Sequence, residues 1–205
     1  MGLKDTGRET FFIKYAFELN DKVYKKINSH MEKVGKLHGE HTVVLTLTYN
    51  RGGYTSVMLD FVAMIKGVHN RYPGVTIELN FGGYAISAAA YVFAYFVYFD
   101  PHERIKVKTS SRLCLVYHKP RLLVNDKQSN TEILVFGNQD LTNCTPAEIN
   151  LIRQLDKFFD AVFDSMLNYF EQKMKKPIDQ HLIASYNSNG DASITYPVGL
   201  HTMKA

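Results

Sequence analysis

The chain has 205 residues and a mass of 23.4 kDa, which is enough for one domain with a sizeable core. Hydrophobic residues make up 45% and charged residues 21% of it, the proportions of an ordinary soluble globular protein. The 24 Lys and Arg residues outnumber the 20 Asp and Glu residues, but they are scattered, with the densest group at residues 173–176, so we expect no nucleic-acid partner.

The first half of the chain alternates strand-like and helix-like segments. Val, Ile, Thr and aromatic residues predict strands at residues 10–17, 41–49 and 75–81, and again at residues 104–108 and 113–118. Apolar residues at helical spacing predict two intervening helices, whose inner faces are formed by Leu19, Val23, Ile27, Met31 and Val34 and by Val57, Phe61, Met64, Ile65 and Val68. This rhythm predicts an α/β fold built from repeated β-α-β units with a largely parallel sheet.

The last third of the chain departs from this rhythm. Residues 121–136 predict a hairpin or an extended excursion with a polar tip, and residues 185–202 predict a turn-rich stretch with a short closing element. Between them, Thr145 and Glu148 have the spacing of a capping box, with Pro146 at the first helical position. A long amphipathic helix follows, with an inner face of Ile149, Ile152, Phe159, Val162, Phe163, Met166 and Phe170.

We therefore expect a single domain over residues 1–205. A short amino-terminal arm occupies residues 1–9, and residues 121–174 form an excursion and a helical appendage.

Residues 79–99 contain no charge and are long enough to span a bilayer. Asn80, two glycines and Ser87 interrupt this run, and its apolar part is rich in Tyr and Ala, so we favour a buried helix over a membrane segment. Cys114 and Cys144 show neither metal-ligand spacing nor a disulfide framework, and the first residues are not a secretory signal, so a reducing cytoplasm is expected. We expect no metal and no cofactor.

Two strand-to-helix junctions contain glycine pairs, and such junctions are where functional groups of an α/β sheet gather. One is residues 50–53, with the sequence Asn-Arg-Gly-Gly, and the other runs from Gly82 to Ser87. A serine at such a turn can act as a nucleophile, and the amides of Gly53 and Ala88 could face the oxyanion that forms. On composition alone, we prefer to interpret residues 50–53 as a plain turn and Ser87 as a small residue that lets helices pack closely, because short Gly/Ser motifs are common.

A nucleophilic serine needs a base, and His118 is the best placed of the eight histidines. It closes the strand-like residues 113–118 and is followed by Lys119 and Pro120. A buried structural histidine is the alternative. The His-Gly-Glu-His run at residues 38–41 suggests a metal site, but its glycine and the strand that follows deny it the helical spacing of zinc ligands.

Four short motifs occur in order along the chain. They are Asn-Arg-Gly-Gly at residues 50–53, Gly-Tyr-Ala-Ile-Ser-Ala-Ala at residues 83–89, Ser-Arg with an apolar strand and His-Lys-Pro at residues 111–120, and Asp-Ala-Ser-Ile-Thr at residues 191–195 with Gly-Leu at 199–200. Together they resemble the motifs of the Clp protease proteolytic subunit family, whose fold is related to the crotonases. The resemblance extends from about residue 10 to residue 200.

This resemblance implies a cytoplasmic serine endopeptidase that hydrolyses peptides or unfolded proteins by acyl transfer. Ser87 would be the nucleophile, His118 the general base and then the general acid, and Asp191 the group that orients the imidazole. The amides of Gly53 and Ala88 would stabilise the tetrahedral oxyanion. Without the resemblance, Asp191 would be interpreted as a turn-capping carboxylate.

The resemblance also implies substrate contacts and an assembly. Arg51, Gly52 and Pro120 would border the substrate, and Arg51 stands where the family has proline. A homo-oligomeric ring, or stacked rings, is expected. Because only about nine residues precede the first predicted strand, we expect the family's amino-terminal axial loops to be missing, and we expect docking to an AAA+ unfoldase less than ring assembly.

Three alternatives remain. His118 follows Ser87 by 31 residues, longer than the family pattern, which raises the alternative of a Clp-like scaffold or regulatory subunit with idle catalytic residues. A crotonase-type acyl-CoA enzyme would use the same two amides but would need no serine–histidine pair. A Ser/Lys dyad is the third, and His118 makes it unnecessary.

Overall fold

The structure is a computed structural model that describes residues 7–12, 22–37, 39–126, 131–137, 139, 141–173, 175 and 179–196. The strands are β1 (Gly7–Phe12), β2 (His41–Asn50), β3 (Val75–Ile86), β4 (Ile105–His118), β5 (Leu122–Asn125), β6 (Glu132–Val135) and β7 (Asp191–Tyr196). The helices are α1 (Lys22–Val34), α2 (Thr55–Arg71), α3 (Ala88–Ala94), which continues as a π-helical turn (Tyr95–Phe99), α4 (Pro146–Gln172) and α5 (Gln180–Asn189).

These residues fall into two compact units. The first comprises Met1–Leu115 and Ile194–Ala205, and the second comprises Val116–Ser193. The expectation of one domain over the whole chain stays a prediction.

The sheet has the strand order β1-β2-β3-β4-β7. Strand β2 pairs in parallel with β1 on one side and with β3 on the other, and α1 and α2 connect these three strands. Five successive residues of β2 (43–47) are buried, as expected for a strand covered on both faces of a parallel sheet. The predicted α/β fold with a largely parallel sheet is therefore confirmed.

The predicted inner-face residues of the first two helices whose side chains the structure describes lie in the core of the first unit. Ile27, Met31 and Val34 of α1 are buried, and so is the whole predicted face of α2, formed by Val57, Phe61, Met64, Ile65 and Val68. Leu19 and the side chain of Val23 lie outside the described part of the chain. Helical periodicity located this part of the core because each helix has one strongly apolar side.

Three strand boundaries differ from the sequence prediction. The first strand begins at Gly7 rather than at residue 10, and residues 13–17 lie outside the described part of the chain. Strand β3 continues through Gly82 and Gly83 to Ile86, and the two predicted segments after it form one continuous strand, β4. The charge-free run is therefore a strand, a turn and a short helix, and no helix among the described residues is long and apolar enough to cross a membrane.

The second unit contains the predicted hairpin and the predicted long helix. Strands β5 and β6 pair antiparallel, and Val124 and Val135 pack in one cluster with Cys144 and Ile152. The capping box at the start of α4 is confirmed, since Thr145 Oγ1 accepts a hydrogen bond from Glu148 N–H while the Glu148 carboxylate accepts one from Thr145 N–H.

Helix α5 was not predicted, because its second half, residues 185–189, has the composition of a turn-rich loop. Those residues are helical in the structure, and Gly190 ends the helix in the left-handed conformation, with φ of 76°. Ser188 satisfies its hydroxyl within the helix by donating to the carbonyl of Ala184, and Tyr186 is buried with its hydroxyl on Asp160. This tertiary anchoring overrides the weak helix propensity of Asn and Ser.

Candidate active site

Ser87 occupies a strained turn between β3 and α3. Its backbone has φ of 59° and ψ of −123°, a conformation that residues other than glycine rarely adopt. Such a conformation costs about 1–3 kcal/mol and persists only where the surrounding structure enforces it. Here β3 and α3 hold Ser87 in this conformation from either side. All seven residues of α3 are buried.

The hydroxyl of Ser87 does not serve as an ordinary helix cap. A capping serine has an extended backbone and accepts a hydrogen bond from the first helical turn, as Thr145 does at the start of α4 with φ of −73° and ψ of 158°. Ser87 has neither feature and makes no capping hydrogen bond to the described residues of α3. Half-buried Ser87 therefore has the backbone of a nucleophile elbow, a sharp strand-to-helix turn that presents a serine hydroxyl.

The other glycine-containing junction lies directly against this turn. A Cβ added to Gly52 would lie 2.5 Å from the Cβ of Ser87 and 2.5 Å from the carbonyl oxygen of Ile86, so only glycine fits there. Gly52 has φ of 90°, and its N–H donates to Oδ1 of Asn50, which is fully buried. The two junctions that the sequence singled out are thus adjacent in the structure.

This packing brings the loop that carries Gly53 beside the turn that carries Ala88. Ala88 is the first residue of α3, so its N–H lies among those with no acceptor inside the helix. A Cβ on Gly52 would lie 2.9 Å from this same nitrogen. Gly53 is exposed and has φ of 138°. The assignment of these two amides to one oxyanion hole stays a prediction.

Tyrosines flank the glycine loop, a feature that the sequence analysis missed. Tyr49 and Tyr54 stand on either side of residues 50–53 and are 58% and 57% exposed. Tyr49 has φ of 53°, its ring covers Gly83, and it meets the edge of the Tyr84 ring at a centroid distance of 5.4 Å. The signal was present as a tyrosine on each side of Asn-Arg-Gly-Gly. Exposed aromatic rings at this position offer a surface for apolar groups.

His118 ends β4 and belongs to the second unit. Its Nδ1 lies 2.7 Å from the carbonyl oxygen of Lys119. Because a carbonyl oxygen only accepts, Nδ1 carries the proton and Nε2 of the neutral ring is an acceptor. Burial lowers the pKa of His118, Arg121 lowers it further, and the Lys119 carbonyl and Asp191 oppose this shift. The ring is therefore neutral at pH 7 and able to accept a proton through Nε2.

Asp191 begins β7, and its carboxylate engages an arginine. Its Oδ1 accepts a hydrogen bond of 2.8 Å from Arg121. The same carboxylate is near enough to His118 to raise the pKa of the imidazole. Asp191 therefore acts on His118 through its charge, whereas the hydrogen bond at Nδ1 is made by the backbone.

A partly buried ionic network beside His118 was also missed. Lys119 is only 5% exposed, and its Nζ lies 2.7 Å from Oδ1 of Asp160. The same carboxylate oxygen accepts a hydrogen bond of 2.9 Å from the hydroxyl of Tyr186, and Nζ lies 5.0 Å above the Tyr186 ring. Sequence separations of 41 and 26 residues leave no local pattern from which these contacts could be predicted.

The residues expected to border the substrate have different environments. Arg51 is exposed beside the glycine loop, Gly52 is buried beneath the Ser87 turn, and Pro120 is buried in the second unit. Among the described residues, no group of three or more His, Cys, Asp or Glu side chains is placed to hold a metal ion.

No protein-family model and no curated protein matches the sequence. Among solved structures, the chain is similar to the catalytic domain of the ClpP protease from Plasmodium falciparum. The two are 11% identical with a TM-score of 0.49, over 91% of this chain and 76% of that one. What the chain does must therefore be argued from its own residues.

Proposed function

We propose that the chain is a serine endopeptidase of the Clp type that hydrolyses peptides or unfolded proteins. The observation that carries the proposal is the backbone of Ser87, whose φ of 59° stores strain at the residue that the sequence motifs assign as the nucleophile. Strain of this kind is typical of functional sites, because a purely structural serine gains nothing from it. The glycine loop packed against Ser87 supports the same assignment.

The proposed chemistry is acyl transfer. Ser87 Oγ attacks the scissile carbonyl, and His118 accepts its proton at Nε2 and returns it to the leaving amine. The amides of Gly53 and Ala88 stabilise the oxyanion. Asp191 raises the basicity of His118 through its charge, in keeping with its effect on the pKa of the imidazole. The chain acts as a homo-oligomeric ring in the cytoplasm, without a metal or cofactor.

Labelling with a fluorophosphonate tests the proposal, because this reagent reacts with activated serines and its adduct is read by intact mass. We expect one adduct on the wild type, and we expect Ser87→Ala and His118→Ala to abolish it. Ser56→Ala is the matched control, since Ser56 is an exposed serine near the same glycine loop. Cleavage of fluorescent casein then tests for peptidase activity.

Two results would count against the proposal. One is an adduct that persists in Ser87→Ala, and the other is a folded wild-type chain that takes up no label. The second result would favour a scaffold or regulatory subunit with idle catalytic residues. The observation that favours this second candidate is the ion pair between Arg121 and Asp191, because it engages the carboxylate that the motifs assign to the triad.

A further inference from the structure

Lys119 is held at three points within its own compact unit. Its backbone N–H donates to the carbonyl of Gly190 at 2.8 Å, and its Nζ donates to Asp160 at 2.7 Å. Its carbonyl oxygen lies 2.7 Å from Nδ1 of His118, which donates to it. The residue whose carbonyl accepts the histidine hydrogen bond is therefore held by two further contacts, one through its N–H and one through its side chain.

The partner of the Lys119 side chain is in turn held by a second contact. A buried ammonium requires a partner, since an uncompensated buried charge is strongly destabilising. The partner is Asp160, which is also held by the hydroxyl of Tyr186. Tyr186 is 2% exposed and stacks on Phe163 with ring centroids 3.8 Å apart. Movement of the Lys119 peptide would disturb this packed network.

We propose that Lys119 is a positioning residue for His118, and that its carbonyl holds the imidazole in the role that the family resemblance assigns to Asp191. The inference rests on the proposed function, because it concerns the base of that reaction. The Nδ1 proton has one hydrogen-bond direction, and in this structure it points to the Lys119 carbonyl while Oδ1 of Asp191 accepts from Arg121. The anchored carbonyl fixes the tautomer that leaves Nε2 as the base.

This arrangement distinguishes the roles of Lys119 and Asp191. Where a carboxylate orients the histidine, replacing that aspartate with asparagine lowers kcat by about 10⁴-fold through the wrong tautomer. Here Asp191→Asn removes a nearby charge and weakens the contact with Arg121, but it removes no hydrogen bond to the imidazole, so we expect a loss of about tenfold or less and an unchanged tautomer. Lys119→Met removes the anchor while leaving the carbonyl in the chain. A misplaced catalytic group costs about 100-fold, so we expect a loss of about 10- to 100-fold.

The experiment uses the full-length chain and two measurements, the rate of fluorophosphonate labelling and the ¹⁵N NMR signals of the His118 ring. In the wild type we expect a protonated Nδ1 and an unprotonated Nε2 at neutral pH. In Lys119→Met we expect slower labelling and a mixture of tautomers, with most of both effects reversed in Lys119→Arg. Lys108→Met is the control, because it breaks a different lysine ion pair, between Lys108 of β4 and Glu78 of β3.

The outcomes separate this inference from the proposed function. If the wild type takes up no label, the proposed function fails, while the NMR signals still decide whether the Lys119 side chain fixes the His118 tautomer. An unchanged tautomer and labelling rate in Lys119→Met would overturn the inference, and so would loss of the Nδ1 proton signal in Asp191→Asn. If Lys119→Met does not fold, Tyr186→Phe removes one hydrogen bond to Asp160 and must shift both measurements in the same direction.

Discussion

At the scale of single residues, the strain at Ser87 has a measurable consequence. Glycine adopts positive φ without steric cost, whereas alanine keeps the Cβ that causes the strain. We therefore expect Ser87→Gly to have a higher free energy of unfolding than Ser87→Ala, by about 1 kcal/mol, after allowance for the greater flexibility of glycine in the unfolded chain. Urea denaturation of the two variants measures this difference.

The same pair of substitutions at Ser56 is the control. Ser56 lies in α2, where the backbone is helical, and there alanine is more stable than glycine by about 1 kcal/mol. The order of the two variants should thus reverse between the two positions. Equal stability of Ser87→Gly and Ser87→Ala would show that the turn is not strained, and the main argument for a nucleophile would be lost.

The sequence located the turn at Ser87 and the glycine loop, but it did not predict the contacts of His118. Ser87 and the glycine loop were found because each lies in a local pattern, a glycine pair between a strand and a helix. The acceptor of the His118 proton was not found, since a backbone carbonyl has no sequence signature. The ion pair between Lys119 and Asp160 was missed because the two residues are 41 positions apart and Asp160 belongs to the polar face of an amphipathic helix.

At the scale of elements, the start of α4 provides a test of helix capping. Thr145 satisfies the N–H of Glu148, and the Glu148 carboxylate satisfies the N–H of Thr145. We expect Thr145→Ala to lower the free energy of unfolding by about 1 kcal/mol, because both the cap and the geometry of the box are lost. Urea denaturation checks this value. Thr145→Ser is the control, because it keeps the hydroxyl and should change the free energy of unfolding by only a few tenths of a kcal/mol. A Thr145→Ala variant as stable as the wild type would contradict the prediction.

Elements were predictable where one face of a helix or strand is strongly apolar. The inner faces of α2 and α4 and the hairpin of β5 and β6 were identified in this way. Helix α5 was missed because its last residues have the composition of a turn, and its only fully buried anchor is Tyr186. The strand β3 was predicted too short, since its continuation through Gly82 and Gly83 depends on pairing with β2 rather than on propensity.

At the scale of the whole molecule, the outer face of the hairpin carries a pair of exposed leucines. Leu123 and Leu134 are directly opposed across β5 and β6 and are 52% and 55% exposed. Alternation along the strands turns Val124 and Val135 inward and leaves these two leucines outside. The ring assembly in the proposed function requires a contact between copies, and we assign this leucine pair to such a contact.

We therefore expect the full chain to sediment as a homo-oligomer at micromolar concentration. The double substitution Leu123→Lys with Leu134→Glu should shift the distribution towards smaller species, since it places charges in the contact. Opposite charges across the two strands support each other, so the hairpin itself should stay folded.

Leu37→Lys is the control, because Leu37 is 58% exposed and belongs to the other compact unit. Sedimentation velocity measures the distribution, and circular dichroism confirms the fold of each variant. A wild-type chain that stays monomeric across the concentration range would remove the ring from the proposed function, and an oligomer unaffected by the double substitution would place the contact elsewhere.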